Sequence, residues 1–263
     1  MKKTLLTLAV AATLLSACGG KGGGIFGGSG FDLAEAKVTK VVPVVDQDGA
    51  PKCQINLQVK YVKGDDERAR TVNNAIEERL FMYENLTMQQ AVDSFANFYT
   101  SEYKKNMAPL YREDVDDDTR HAWYEYKYEI ETETEEGKDD CLVYIVELSM
   151  YEGGAHGIEQ KLVMNFDEKT GKQITYDDLF VQGYDHRLRE MLLEKLKKHT
   201  NTHSLEELQE EGYLFSMDIY APQNFILDDD GITFIYNPYE IAAYAKGRTE
   251  LTLSYAELKA IMK

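Results

Sequence analysis

His156 stands between glycines in Tyr151-Glu152-Gly153-Gly154-Ala155-His156-Gly157, with Glu152 before it and Asp167 after it. An imidazole beside a carboxylate is the pairing of a general base, which makes His156 the centre of a conceivable hydrolase. No nucleophile accompanies it, and Gly-x-Ser-x-Gly is missing from the sequence. Glycines on both sides fit a turn equally well. The competing reading is a non-catalytic, ligand-contacting loop made of Tyr151, Gly153, Gly154 and His156, joined by Tyr239 from a later segment. His199 and His203 have the i, i+4 spacing of zinc ligands on a helix. Asn201-Thr202 interrupts them and the Glu of His-Glu-x-x-His is missing, so no metal site is expected. Asp114–Asp118 lacks the glycine and distal glutamate of a calcium loop and reads as solvated surface. Walker, Cys-x-x-Cys and dinucleotide motifs are also missing, and no cofactor is expected.

The three cysteines divide into one and two. Cys18 follows Leu15-Ser16-Ala17 behind a short apolar run, whereas Cys53 and Cys141 each open a strand-like segment. In an oxidising compartment the latter two either pair, closing a long loop worth about 4 kcal/mol in the chain-entropy model, or stay as two buried thiols.

The elements that must position these groups follow from periodicity. Leu142–Tyr151 and Ile158–Phe166 are apolar, strand-like runs around the five-residue glycine-rich connection, and read as a β-hairpin. His121–Glu135 alternates, with Trp123, Glu125, Lys127 and Glu129 on one face and Tyr124, Tyr126, Tyr128 and Ile130 on the other. Strands over 121–135, 140–151 and 158–166 therefore form an antiparallel meander, with Trp123 on its edge strand. An earlier hairpin joins Phe31–Val45 to Lys52–Val62 through Asp46-Gln47-Asp48-Gly49. A helix starts near Asp66, with Val72, Ile76 and Leu80 inward. A second begins at a Thr87/Gln90 capping box, with Met88, Ala91, Val92, Phe95, Phe98, Tyr99 and Tyr103 inward. Thr175 with Asp178, Ser204 with Glu207 and Ser254 with Glu257 open further helices, and one more runs from Tyr184 to His199. Asn224–Leu227 and Ile232–Tyr236 flank an Asp-Gly turn, and Arg248–Leu253 is the last strand. Helices set between runs of hairpin strands give the α+β class, with two intimately associated subdomains.

Lys2-Lys3, the apolar stretch Leu5–Leu15 and Ser16-Ala17-Cys18 form a secretory leader too short to span a bilayer, which takes about 20 helical residues. Gly19–Gly30 contains eight glycines in twelve residues, a flexible tether with an r.m.s. span of roughly 20 Å. Without Lys2 and Lys3, 27 of the 29 basic side chains remain against 46 acidic ones, a net charge of −19. That balance excludes nucleic acid as a partner and attracts basic proteins.

Two resemblances add to this reading. Leu15-Ser16-Ala17-Cys18 resembles the bacterial lipobox. It implies cleavage before Cys18, lipidation of its thiol and acylation of its amine, with membrane attachment through that lipid alone. Gly19, where a retention signal would have Asp, points to the outer membrane of the cell envelope. Tyr151–Gly157, Asn165-Phe166-Asp167 with Thr170-Gly171-Lys172, and Asp177-Asp178-Leu179-Phe180 resemble the domain of unknown function at the C-terminus of RsiV-type anti-sigma factors. So do Asn224–Leu227, Gly231-Ile232, Phe234 and Tyr236–Gly247. Residues 33–135 resemble more loosely the preceding domain of those proteins and of PdaC-type peptidoglycan deacetylases. The resemblance implies an N-terminal α+β region over 31–135 and an RsiV-like domain over 136–263. It also implies a non-enzymatic envelope module that binds a basic protein such as lysozyme, or a peptidoglycan fragment. Signalling and deacetylation do not carry over, because the sigma-binding segment and the deacetylase domain have no counterpart here. A lipoprotein with a structural role and no ligand is the remaining alternative.

Overall fold

The computed structural model of the chain describes residues 30–263; the leader, Cys18 and most of the glycine-rich tether lie outside the described residues. The expected α+β architecture is present, built on a five-stranded sheet and a three-stranded one. β1 (Leu33–Pro43) and β2 (Lys52–Val62) form the first hairpin. Two helices follow, α1 (Glu67–Phe81) and α2 (Met88–Glu113). Asp66 caps α1 through Ala69 N–H, and Thr87 and Gln90 form the expected capping box on α2. The chain returns as β3 (Tyr126–Gly137), β4 (Cys141–Glu152) and β5 (Ile158–Asp167), the antiparallel meander.

The sequence reading lacked one join: β3 lies beside β2 in parallel, from Cys53 opposite Tyr126 to Gln58 opposite Glu131. Parallel neighbours need a long crossover, and α1 and α2 supply it. β3 also begins later than expected. Residues Asp118–Tyr124 form a 3-10 helix, started by the Asp117 carboxylate accepting the Thr119 N–H. Trp123 therefore sits on that turn, not on an edge strand. Phe98 is a second departure, at 62% exposed. The buried stripe of α2 passes through small Ala96 and Thr100, and Phe98 lies nearly opposite Ala96 on the helix wheel.

The remaining elements are α3 (Tyr176–Leu179), α4 (Tyr184–Thr200), α5 (Leu205–Glu210), β6 (Phe225–Leu227), β7 (Gly231–Tyr236), β8 (Thr249–Ser254) and α6 (Tyr255–Leu258). β6, β7 and β8 form the antiparallel three-stranded sheet. Ser254 and Glu257 cap α6 reciprocally. At α5 the Ser204 hydroxyl accepts Glu207 N–H, but the Glu207 carboxylate accepts His203 N–H in place of its expected partner.

Two cores share β4. Leu142, Tyr144 and Val146 pack with α1 and α2 on one face of the large sheet. Cys141, Val143 and Ile145 face the other way, against α4 and the small sheet. Having both faces covered explains the unbroken apolar run Cys141–Val146. From Glu147 onward the second layer ends and polar residues return. The boundary expected at 135/136 falls within this sheet, where β3 and β4 pair along their whole length.

The sheet edges are closed by carboxamides. Gln89 on α2 accepts Lys37 N–H and donates to Lys37 carbonyl, plugging the outer edge of β1. On β5, buried Asn237 bonds Lys161 N–H (2.7 Å) and carbonyl (3.0 Å) in the same way. Asn224 takes Val163 N–H, and Asn165 bonds the Phe225 carbonyl and Leu227 N–H. Gln89, Asn237 and Asn165 each supply one donor and one acceptor, as a neighbouring strand would, and Asn224 supplies an acceptor. The described chain enters beside Glu168, whose carboxylate accepts Gly30 N–H. Arg68 donates to the Glu168 carbonyl and stacks on Phe31. That entry lies at the Asp167 end of β5, about 30 Å from the β4–β5 tip at ~3.3 Å per residue.

Candidate functional site

The β4–β5 tip is fixed by backbone geometry. Gly153 has φ +79°, and a Cβ there would fall 2.4 Å from the Trp123 carbonyl oxygen. A Cβ on Gly157 would fall 2.7 Å from the Met150 carbonyl. Only glycine allows both approaches. The Tyr151 hydroxyl donates to Gly154 carbonyl at 2.9 Å, with Ala122 carbonyl at 3.4 Å, tying the tip to the 3-10 turn that carries Trp123.

The connection between β7 and β8 folds back over this tip. Asn237-Pro238-Tyr239-Glu240 closes with Glu240 N–H on Asn237 carbonyl, and the Glu240 carboxylate accepts Asn237 N–H. Tyr239, the third residue, has φ +72°, a conformation that turns ordinarily reserve for glycine. The turn presents its ring at 58% exposure, with the hydroxyl 3.3 Å from His156 Nε2. His156 lies flat on Tyr244, from the 3-10 helix Tyr244–Lys246, at 4.2 Å between centroids and 9° between planes. Tyr239 and Tyr244 are 5.6 Å apart. Trp123 is 56% exposed, with the Arg120 guanidinium 5.5 Å from its ring centre.

No acid–base pair forms here. Glu152 accepts the Tyr99 hydroxyl, and Tyr99 is held far above the usual phenol range chiefly by burial. Asp167 is at the opposite end of β5, bonded to Thr170 N–H and hydroxyl. His156 thus has neither of the carboxylates that the sequence suggested. His199 ends on the exposed side of α4, and left-handed Asn201 terminates that helix before His203. Among the described residues no group of three or more His, Cys, Asp or Glu side chains is arranged to hold a metal ion.

The disulfide alternative is corrected. Cys53 and Cys141 are free and buried. Cys53 faces the helix-side core and is level with Glu152 on β4, whereas Cys141 begins β4 and faces the other core. Eleven residues along a strand and opposite sheet faces separate them, far beyond the ~7 Å limit for Cα atoms of a disulfide. Burial pushes each thiol up to about 12.

Beside the tip, the part of the large sheet that the small sheet leaves bare is a concavity of about 250 Å3. Glu129, Ser149 and Glu159 lie in one row across it, with Asn56 beyond Glu129. Gln58, Glu131, Glu147 and Lys161 form the next row. Its cations among the described residues are engaged: Lys37 pairs with Glu35 (2.7 Å) and donates to Gln58 (3.3 Å), Lys127 pairs with Glu129 (2.8 Å), Lys161 stands 4.0 Å from Glu250, and Arg248 pairs with Glu147 through two nitrogens (2.6 and 3.1 Å).

Sequence reasoning placed Tyr151, Gly153, Gly154, His156 and Tyr239 together, and they do meet. It did not place Tyr244 against His156 or the turn that carries Trp123 against Gly153, or see Asn237 as the residue that holds the Tyr239 turn. The available signal was Asn-Pro followed by aromatics at 239 and 244, but nothing local revealed which strand edge Asn237 would cap.

Residues 177–256 match the family model described as a protein of unknown function, DUF3298. Over 210 residues the chain is 24% identical to the peptidoglycan-N-acetylmuramic acid deacetylase PdaC of Bacillus subtilis strain 168; the match spans 79% of this chain but only 42% of the deacetylase. A crystal structure of a DUF3298 family member from Bacteroides fragilis superposes with a TM-score of 0.82 at 28% identity, covering 89% of this chain and 94% of that one. A DUF3298 family protein from Pseudomonas aeruginosa PAO1 shares the fold at a TM-score of 0.60 and 17% identity, with the same coverage.

Proposed function

We propose that the chain is a cell-envelope lipoprotein, anchored through Cys18 to the outer membrane, that acts as a non-enzymatic binding module. Its ligand is a basic protein of the lysozyme type or a fragment of the cell wall. The observation that carries this reading is the cluster of exposed His156 and Tyr239 with half-buried Tyr244, held by stacking and by the left-handed turn at Tyr239, while Glu152 is engaged by Tyr99 and Asp167 by Thr170. Preorganised rings lose little freedom on binding. Without the leader's two lysines, the net charge of −19 favours a basic partner. The cell-wall alternative draws on the deacetylase relative, whose name makes peptidoglycan its substrate. Among the described residues no helix is long and apolar enough to cross a membrane, which leaves attachment in this reading to the lipid.

The test is calorimetric titration of the mature chain, with Cys18→Ser to remove the lipid, against a c-type lysozyme at low and near-physiological salt. Saturable binding that persists at physiological salt, and is lost in Tyr239→Ala, supports protein recognition. Heat that vanishes with salt reflects only the attraction of acid for base. Retained binding by a folded His156→Ala variant also counts against a hydrolase centred on that residue.

A further inference from the structure

The groove and the aromatic end together restrict the ligand more than either does alone. Among the described residues each cation at the groove already has a carboxylate, Lys37 with Glu35, Lys127 with Glu129, Arg248 with Glu147 and Lys161 4.0 Å from Glu250, which disfavours an anion. A purely apolar ligand would desolvate the Glu131 and Glu159 carboxylates and the Asn56 and Gln58 amides, whose oxygens accept from Thr39 and Lys37 but whose N–H groups face the groove's solvent. What fits is a molecule rich in hydroxyl groups that also has apolar faces. Carboxylates accept from hydroxyls, amides both donate and accept, and flat exposed rings cover C–H faces. Such a set is adjacent here: Ser149 and the end of β4 at Glu152 are about 10 Å apart along the strand.

We propose that this end of the molecule is a carbohydrate site. Trp123 and Tyr239 stack on pyranose faces, and the row Glu129, Ser149 and Glu159 bonds their hydroxyls. The proposal rests on the binding-module reading above and names the ligand class of its site. The strain at Tyr239 favours a specific ligand over a solvated surface: a left-handed tyrosine is held by its turn and projects its ring outward instead of into the core. The alternative occupant of the groove, a cationic peptide, would pair with the carboxylates, an attraction that salt screens, whereas the hydroxyl bonds and ring stacking of a neutral saccharide do not depend on salt.

Trp123 is the only tryptophan in the chain, so its fluorescence reports directly on the site. The mature Cys18→Ser chain is titrated with a chitin tetrasaccharide and, separately, with pentalysine, in low and physiological salt. The expected result is a saturable change in Trp123 emission with the saccharide, unaltered by salt. Tyr239→Gly, which relieves the backbone strain while removing the ring, weakens it about tenfold, equivalent to about 1.4 kcal/mol. Phe98→Ala, which removes an equally exposed ring on α2, leaves it unchanged. Saturable pentalysine binding without saccharide binding overturns the carbohydrate assignment and leaves the binding module standing. A Tyr239→Gly variant that binds the saccharide as tightly as the parent also overturns it. Binding of neither probe, together with none to lysozyme, removes both readings.

Discussion

Asn237→Asp isolates the amide that closes the outer edge of β5. Asn237 is only 2% exposed, and it both accepts from and donates to Lys161. The substitution keeps the acceptor facing Lys161 N–H. When ionised, it sets a carboxylate oxygen where Nδ2 stood, 3.0 Å from a carbonyl oxygen. A lost hydrogen bond costs about 1 kcal/mol, and an unpaired buried acceptor with added charge raises the total to about 3 kcal/mol. Protonated, the new side chain can again donate to Lys161. Burial and that donated bond raise its folded pKa above the unfolded value of about 3.9. The sign follows: the variant's stability is best preserved below about pH 3.9 and is lost as pH rises through the folded pKa. Urea denaturation of parent and variant side by side from pH 4 to 8 gives the difference at each pH, which cancels the titration of other groups. The gap should widen with pH and level off near 3 kcal/mol, about 6–12 °C in Tm for a domain of this size. A gap that is flat with pH, or under about 0.5 kcal/mol throughout, would refute the role given to Asn237.

Two further substitutions separate strain from contact at the hairpin tip. Gly154→Ala faces open space at φ +96° and should cost only the left-handed penalty of about 1 kcal/mol, whereas Gly153→Ala also meets the Trp123 carbonyl and should cost about 3 kcal/mol by chemical denaturation. Equal losses would mean that Trp123 does not pack on Gly153. Cys53 and Cys141 should resist a thiol reagent at pH 8 in the native Cys18→Ser chain and both react in denaturant without reductant, because burial holds each near 12 and no disulfide joins them. A reagent count of zero in denaturant would restore the disulfide.

Local pattern revealed most of the elements and little of their assembly. Thr87/Gln90 and Ser254/Glu257 mark helix starts because a cap is complete within four residues. The β4–β5 hairpin was legible because Gly153 and Gly157 advertise backbone approaches that other residues cannot make. The parallel join of β2 to β3 was not, since the two crossover helices show only that a return occurs and not where it docks. The run Cys141–Val146 followed by the alternation from Glu147 did contain the place where the second layer stops. Reading it required knowing that both faces of β4 are covered. At the site, Glu152 and His156 are close in sequence, but Glu152 is held by Tyr99 from α2. Proximity along the chain therefore gave a catalytic pair that the fold keeps apart.

The opposition between Gly30 at one end of the sheet and the hairpin tip at the other has a mechanical meaning. In a chain anchored at its N-terminus and holding a ligand at the tip, tension would run nearly parallel to the strands. β1 begins opposite the end of β2, and β2 starts level with the end of β4, so such a load crosses the sheet in shear. Ladder hydrogen bonds loaded in shear resist together, whereas a peeled edge would yield one bond at a time. The same strands that place the aromatic cluster far from the anchor would thus make the sheet stiffest along the line joining them.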